Sequence, residues 1–179
     1  MSELRVSDEE ARGEQSGTCG EFRQAALGGT GFEGAGAAEG SLTELAAGSG
    51  LFSPGLFDGY TQFRHQPAAY FVSPVVRRPG PDWVTVFKGG FIASGVPGPD
   101  RVPSIAWPRG LRYSGTEGAG EVQTPLRGPG AEDLAIGDHV WFRHAKAGEL
   151  AEHFNEFHVI AGGKITDTWT TYRGRGWVL

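Results

Sequence analysis

From residue 68 onward, short runs of β-branched and aromatic residues alternate with glycine and proline. The strongest runs predict strands at 69–77, 82–87, 138–143, 156–160 and 164–172, with weaker ones at 91–93, 110–113 and 120–124. Short strands separated at close intervals by turn residues are typical of antiparallel sandwiches and barrels. The pattern therefore predicts a mainly β protein of the α+β class, with an antiparallel, barrel-like C-terminal domain.

Two local signals sharpen this prediction. Gly162 and Gly163 stand between two strand-like runs, and a two-residue glycine turn is a hairpin signal. Pro74 lies inside the run 69–77 and predicts a bulge or a sheet edge, because proline cannot donate to a strand ladder. In this region only 148–154 has the pattern of a helix.

Composition excludes several classes of function. The 30 glycines among 179 residues disfavour long helices, and the net charge of -5 argues against nucleic-acid binding, which needs clustered Lys and Arg. Cys19 is the only cysteine, so an intrachain disulfide is excluded and a reducing compartment is expected. The sequence shows neither a run long enough to cross a bilayer nor a signal peptide. We therefore expect a cytoplasmic protein that binds neither nucleic acid nor membrane.

The first third of the chain is less patterned. Residues 1–18 are polar and charged and are predicted to be disordered or frayed. The glycine clusters 28–31 and 48–50 offer backbone N–H groups and hydroxyls, from which phosphate cradles are built. Neither cluster matches the Walker or the dinucleotide-binding pattern, so from the residues alone they are either loops or phosphate sites.

A polar loop after the strand at 138–143 concentrates ionisable groups: His144, Lys146, Glu149 and His153. Ionisable groups between strands often form ligand sites. A His followed two residues later by His or Asp could hold a metal, but the second position here is Lys146, which repels cations. The histidines therefore remain either a site or hydrogen-bonded structural residues.

Four segments together resemble a known family: 44–52, 56–58, 118–126 and 141–149. They are similar to the C-terminal part of the amino acid deaminase/aldolase proteins. This family groups with D-threonine aldolase and D-serine dehydratase in the alanine-racemase-type, fold type III class of pyridoxal-phosphate enzymes. The resemblance extends from about residue 28 to the end.

The resemblance implies a division of the chain into three parts. Residues 1–27 match nothing in the family. Residues 28–67 would be the remnant of the last strands and helices of the α/β barrel that binds pyridoxal phosphate, and 68–179 would be the β domain that covers the active site. The resemblance places the cofactor phosphate at the following residues: Thr30, Gly31, Gly48, Ser49 and Gly50.

Two departures from the family concern its chemistry. The family's cofactor lysine lies on the first barrel strand, and the lysines here fall in the β part, so the resemblance implies a chain that is inactive alone. D-threonine aldolase and D-serine dehydratase hold a metal with a His and, two residues later, Asp or Cys. Here His144 is kept and Lys146 takes the second place. His144 and Lys146 are thus the candidate catalytic residues, and whether His144 holds a metal stays open.

Three functions compete at this point. The first is a truncated lyase, an aldolase or deaminase acting on D-amino acids that resemble D-threonine or D-serine. The expected partners are this small-molecule substrate and a second copy of the chain in a homodimer. The second is a non-enzymatic β module for binding or oligomerisation. The third, a small metal hydrolase using His144, His153 and His158, lacks any ligand spacing to support it.

Overall fold

A computed structural model of the chain describes residues 49–61 and 66–177, together with the backbone of 3–7. The described residues form nine strands and one α-helix. The strands are β1 (Glu3–Ser7), β2 (Ala69–Gly80), β3 (Trp83–Phe87), β4 (Ser104–Trp107), β5 (Arg112–Tyr113), β6 (Gln123–Arg127), β7 (His139–Arg143), β8 (Glu156–Ala161) and β9 (Lys164–Thr170). The helix α1 is Ala147–His153, and 3-10 helices lie at Ser49–Phe52, Gly55–Gly59, Pro99–Arg101 and Pro129–Ala131.

The long strand β2 joins the two halves of the sheet. Its first half pairs with β1 on one side and with β7 on the other. Its second half pairs with β3, and register shifts begin at Val75, directly after Pro74. The resulting order is β5-β6-β3-β2-β1-β8-β9, with β4 and β7 attached beside β2. All pairings are antiparallel except β1 with β8. The predicted barrel-like antiparallel sheet is confirmed, and the sheet is nearly closed.

Aromatic side chains fill the interior. Phe71 of β2 and Phe142 of β7 are fully buried and stack with ring centroids 5.0 Å apart. Phe91 and Phe154 pack against Phe71 at 4.9 and 6.3 Å. Full burial of one such ring contributes about 1.5–3 kcal/mol. This packing holds the end of β7 against the start of β2.

The hairpin prediction is confirmed. β8 and β9 are joined by Gly162 and Gly163, both with positive φ (55° and 75°), the conformation that a tight primed turn requires. The helix predicted at 148–154 is also found, as α1. Among the described residues, no helix has the length and apolar character needed to span a membrane.

The sequence-based strand predictions differ from the structure at three places. Residues 3–7 form β1 between β2 and β8, whereas disorder was expected over 1–18. Residues 104–107 form β4, which no pattern indicated. Residues 91–93 are not a strand, because Ala93 donates its N–H to the carbonyl of Arg101 in a loop instead of joining a ladder.

Candidate functional site

Arg143, the last residue of β7, fixes the segment before β2 to the sheet. Its guanidinium pairs bidentately with Asp58, with Nη1 and Nη2 each donating at 2.8 Å. Nε and Nη2 donate to the carbonyl of Ser53 at 3.1 and 2.9 Å, and Nη2 also donates to that of Pro54 at 3.2 Å. Planar bidentate pairing of this kind is geometrically demanding. Arg143 thus anchors the turn that leads into the 3-10 helix Gly55–Gly59.

His144 follows and is only 2% exposed. Among the described residues, neither ring nitrogen has a hydrogen-bond partner. The backbone of Lys146 and of Phe52 lies near the ring without reaching hydrogen-bond geometry. Burial lowers the pKa of His144 to about 4, and the charge of Arg143 acts in the same direction, while the nearby backbone groups oppose the shift. The imidazole is therefore neutral at neutral pH.

Lys146 stands at the N-cap of α1 and directs its ammonium to Ser94, in the loop after β3. Nζ donates to the Ser94 carbonyl at 3.0 Å and to its hydroxyl at 3.3 Å. Glu149, in the first turn of α1, accepts the backbone N–H of Ser94 through Oε1. Ser94 therefore connects the two charged side chains.

Glu149 is ionised at neutral pH. Burial by itself raises the pKa of Glu149, but the contacts with Ser94, its own backbone N–H and the charge of Lys146 outweigh burial, so the net pKa lies below the usual value. Oε2 of Glu149 is buried and has no hydrogen-bond partner in the part of the chain that the structure describes. The turn from β7 into α1 thus holds unpaired buried polar atoms on both His144 and Glu149.

The predicted phosphate site is described only in part. Thr30, Gly31 and Gly48 fall outside the described residues. Ser49 and Gly50 open the 3-10 helix Ser49–Phe52, in which the carbonyl of Gly50 accepts the N–H of Ser53 at 3.2 Å. The phosphate site at these five residues stays a prediction.

A metal does not fit the described residues around His144. The second ligand of the related sites is replaced by Lys146, a cation whose Nζ already donates to Ser94. Within residues 49–61 and 66–177, no three His, Cys, Asp or Glu side chains come together as a metal site. The donor set present, one imidazole and one ammonium, is not one that binds a divalent cation.

The three histidines of the metal hydrolase alternative also do not form a metal site among the described residues. His153 packs on Phe91, with ring centroids 4.6 Å apart. His158 lies on β8, with Nε2 3.7 Å from a carboxylate oxygen of Glu156. Neither histidine forms a ligand cluster with His144 among the described side chains.

The lysines of the sequence do not supply the family's cofactor lysine. The sequence contains Lys88, Lys146 and Lys164. Lys88 Nζ lies 5.6 Å from the ring centroid of Phe87, and Lys164 starts the exposed strand β9. Both Lys88 and Lys164 are exposed, and Lys146 is hydrogen-bonded to Ser94.

The contacts of Ser94 with Lys146 and of Arg143 with Asp58 were not predicted from the sequence. Ser94 has no motif around it and reaches Lys146 across 52 positions. Arg143 pairs with Asp58 across 85 positions, so no local pattern links them. A signal did exist for Asp58, which ends the family-like segment 56–58, but the resemblance assigned it no role.

Comparison with known proteins bears on the fold. No protein-family model and no curated protein matches the sequence. Among solved structures, the chain is similar to a D-threonine aldolase from Filomicrobium marinum, with a TM-score of 0.51 and 17% identity over 64% of this chain and 30% of the aldolase. It is also similar to an alanine-racemase-like protein from Idiomarina loihiensis, with a TM-score of 0.41 and 16% identity over 59% and 31% of the two chains.

The chain thus spans less than a third of the length of the aldolase that it matches. At 17% identity, the likeness establishes the fold. The chain therefore shares the fold of one part of a D-threonine aldolase, the mainly β fold that the resemblance of its sequence implied.

Proposed function

We propose that this chain is the β domain of a pyridoxal-phosphate enzyme of the fold type III class, acting on D-amino acids with a 3-hydroxyl group. The observation that carries the proposal is the fold shared with part of a D-threonine aldolase. The reaction is an aldol cleavage or a deamination of D-threonine-like or D-serine-like substrates. The cofactor and its lysine belong to an α/β barrel, and pyridoxal phosphate supplies the electron sink of such reactions when bound.

In this proposal the turn after β7 is the contribution of the chain to the active site. Lys146 uses two N–H donors on Ser94, and its third has no partner among the described residues. That donor can bind an anionic oxygen of the substrate, its carboxylate or developing alkoxide, where charge stabilisation is most effective. His144, two residues earlier, is neutral, and its buried ring nitrogens have no hydrogen-bond partner among the described residues.

The test is a chimaera. The complete chain replaces the part of the Filomicrobium marinum D-threonine aldolase that it matches, so that the aldolase keeps its barrel and lysine. We expect the chimaera to cleave D-threonine, and the isolated chain with added pyridoxal phosphate to show neither turnover nor the absorbance of a bound cofactor. The aldolase barrel without any β domain is the matched control.

Two results contradict the proposal. One is a folded, cofactor-loaded chimaera that is no more active than the barrel alone. The other is turnover of D-threonine by the isolated chain, which overturns the assignment of the lysine to a barrel.

A non-enzymatic module for oligomerisation is the second candidate, because β9 is exposed. Within the described residues β9 pairs only with β8, and Trp169 on this strand is 48% exposed. Exposed apolar side chains on an edge strand favour contact with another surface, such as a second copy in a homodimer. Sedimentation velocity tests this: Trp169→Arg should shift a dimer to monomer, and Thr168→Arg on the opposite face should not. A monomeric wild-type chain removes this candidate.

A further inference from the structure

Ser94 is contacted by both Lys146 and Glu149. The N–H of Ser94 goes to Oε1 of Glu149, while its carbonyl and hydroxyl accept from Lys146 Nζ at 3.0 and 3.3 Å. Among the described residues, Lys146 and Glu149 form no direct ion pair, and Ser94 connects their charged groups. A shift of Ser94 would therefore move the ammonium.

The loop that carries Ser94 is held in place by contacts of the residues just before Ser94. Gly90 passes so close to the backbone of Gly120 that a Cβ at position 90 would collide with the Gly120 carbonyl. Ala93 donates its N–H to the carbonyl of Arg101 at 2.8 Å. These two contacts hold the chain at residues 90 and 93, directly before Ser94.

The helix fixes Glu149, the acceptor in the contact with Ser94. Glu149 lies in the first turn of α1, and Leu150 beside it is buried in the core. A carboxylate in the first turn of a helix is also favoured by the helix dipole. Glu149 is therefore a fixed acceptor, whereas a lysine side chain on its own has four rotatable bonds and loses rotamer entropy when it is held in one conformation.

We propose that Glu149 is a positioning residue for Lys146 and acts through Ser94. By accepting the Ser94 N–H it fixes the backbone at Ser94, and the carbonyl and hydroxyl of the same residue then hold the ammonium with one donor left over. The chemical use of that donor rests on the function proposed above, but the positioning itself is a property of the chain alone. The conservative change Glu149→Gln keeps an amide oxygen that can accept the same N–H.

The experiment measures the order of the lysine ammonium groups by nitrogen-15 relaxation in the complete chain, without cofactor or substrate. Lys88 and Lys164 serve as internal references, since neither ammonium has a hydrogen bond among the described residues. We expect the order parameter of Lys146 to exceed that of Lys164, to fall to the Lys164 value in Glu149→Ala, and to keep more than half of the difference in Glu149→Gln.

Glu152→Ala is the matched control, because Glu152 is an exposed carboxylate in the same helix. It should leave the order of Lys146 unchanged, and the amide spectrum of each variant reports that it is folded. Three outcomes overturn the proposal: a wild-type Lys146 no more ordered than Lys164, an unchanged Lys146 in Glu149→Ala, or a Glu149→Gln variant as disordered as Glu149→Ala.

Failure here and failure of the proposed function are distinguishable. A chimaera without turnover combined with an ordered Lys146 that depends on Glu149 would refute the lyase function and leave the positioning intact. An active chimaera in which Glu149→Ala changes neither the ammonium order nor kcat would refute the positioning alone.

Discussion

Arg143 and His144 are adjacent and both buried, but they differ in their hydrogen bonding. The guanidinium of Arg143 has partners in Asp58, Ser53 and Pro54. The imidazole of His144 has no hydrogen-bond partner among the described residues. One strand end thus carries a satisfied polar group beside an unsatisfied one.

The difference in hydrogen bonding distinguishes a residue that stabilises the fold from a residue of the candidate site. A buried hydrogen bond to a charged group contributes about 1.5–3 kcal/mol, and removing one partner leaves the other unpaired. An unpaired buried group contributes no such stability, and unpaired or strained groups in native proteins concentrate at functional sites. We therefore assign Arg143 to holding the segment 53–58 and His144 to the candidate site.

The largest expected effect is the loss of the Arg143 contacts. Arg143→Leu keeps the apolar volume but leaves the carbonyls of Ser53 and Pro54 unpaired. We expect the free energy of unfolding to fall by about 3 kcal/mol, measured by urea denaturation. Asp58→Asn should lower the free energy of unfolding by less than about 1 kcal/mol, because the Asp58 side chain is 59% exposed. The amide oxygen of the new asparagine can also still accept a hydrogen bond from Arg143. Equal effects of the two variants would contradict the assignment.

The second effect is the pH dependence set by His144. Its pKa is lowered to about 4 in the folded chain from an ordinary value of 6.5. As the pH falls from about 6.5 to 4, the unfolded chain binds a proton that the folded chain refuses, so stability decreases with falling pH. The loss approaches about 3 kcal/mol at pH 4.

Urea denaturation at several pH values measures this loss. The difference between the wild type and His144→Leu removes the contribution of the carboxyl groups that titrate in the same range. The two stability curves should converge above pH 7 and separate below pH 6.5. Parallel curves over the whole range would show that His144 titrates normally and is not buried as described.

The third effect concerns the chemistry of Lys146. In the chimaera, Lys146→Ala should lower kcat by about a hundredfold, a loss typical of removing one donor from a developing negative charge. KM should change less, and zinc or manganese should not stimulate the unmutated form. Strong stimulation by metal, together with a harmless Lys146→Ala change, would restore His144 as a metal ligand.

The fold was predictable where local pattern and tertiary pairing agree. Gly162 and Gly163 sit between alternating runs, and the hairpin there is as expected. β4 was missed because Ser104–Trp107 is short and flanked by prolines, which in most sequences mark loops. β1 was missed although Glu3–Ser7 alternates polar and apolar residues, because a single short alternation next to an acidic stretch is a weak signal.

The site was predictable only in part, because only some of its residues have a local sequence signal. His144 and Lys146 stand out because they are ionisable and follow a predicted strand. Ser94 does not, since its role depends on a loop brought next to α1 by the closure of the sheet. Contacts across 50 positions are decided by topology, and the order of strands in the sheet was not evident from the individual runs.

The smallest expected effect is that of His144→Leu on stability at pH 7. Leucine is apolar and close to histidine in size, and it leaves no unpaired nitrogens in the buried position. Replacing an unsatisfied polar group by an apolar one of similar shape is nearly neutral or stabilising. We therefore expect a change of less than about 1 kcal/mol in the free energy of unfolding, next to a loss of about 3 kcal/mol for Arg143→Leu one residue earlier. A loss as large as that of Arg143→Leu would mean that the imidazole has a structural partner, and the division between the two residues would then be wrong.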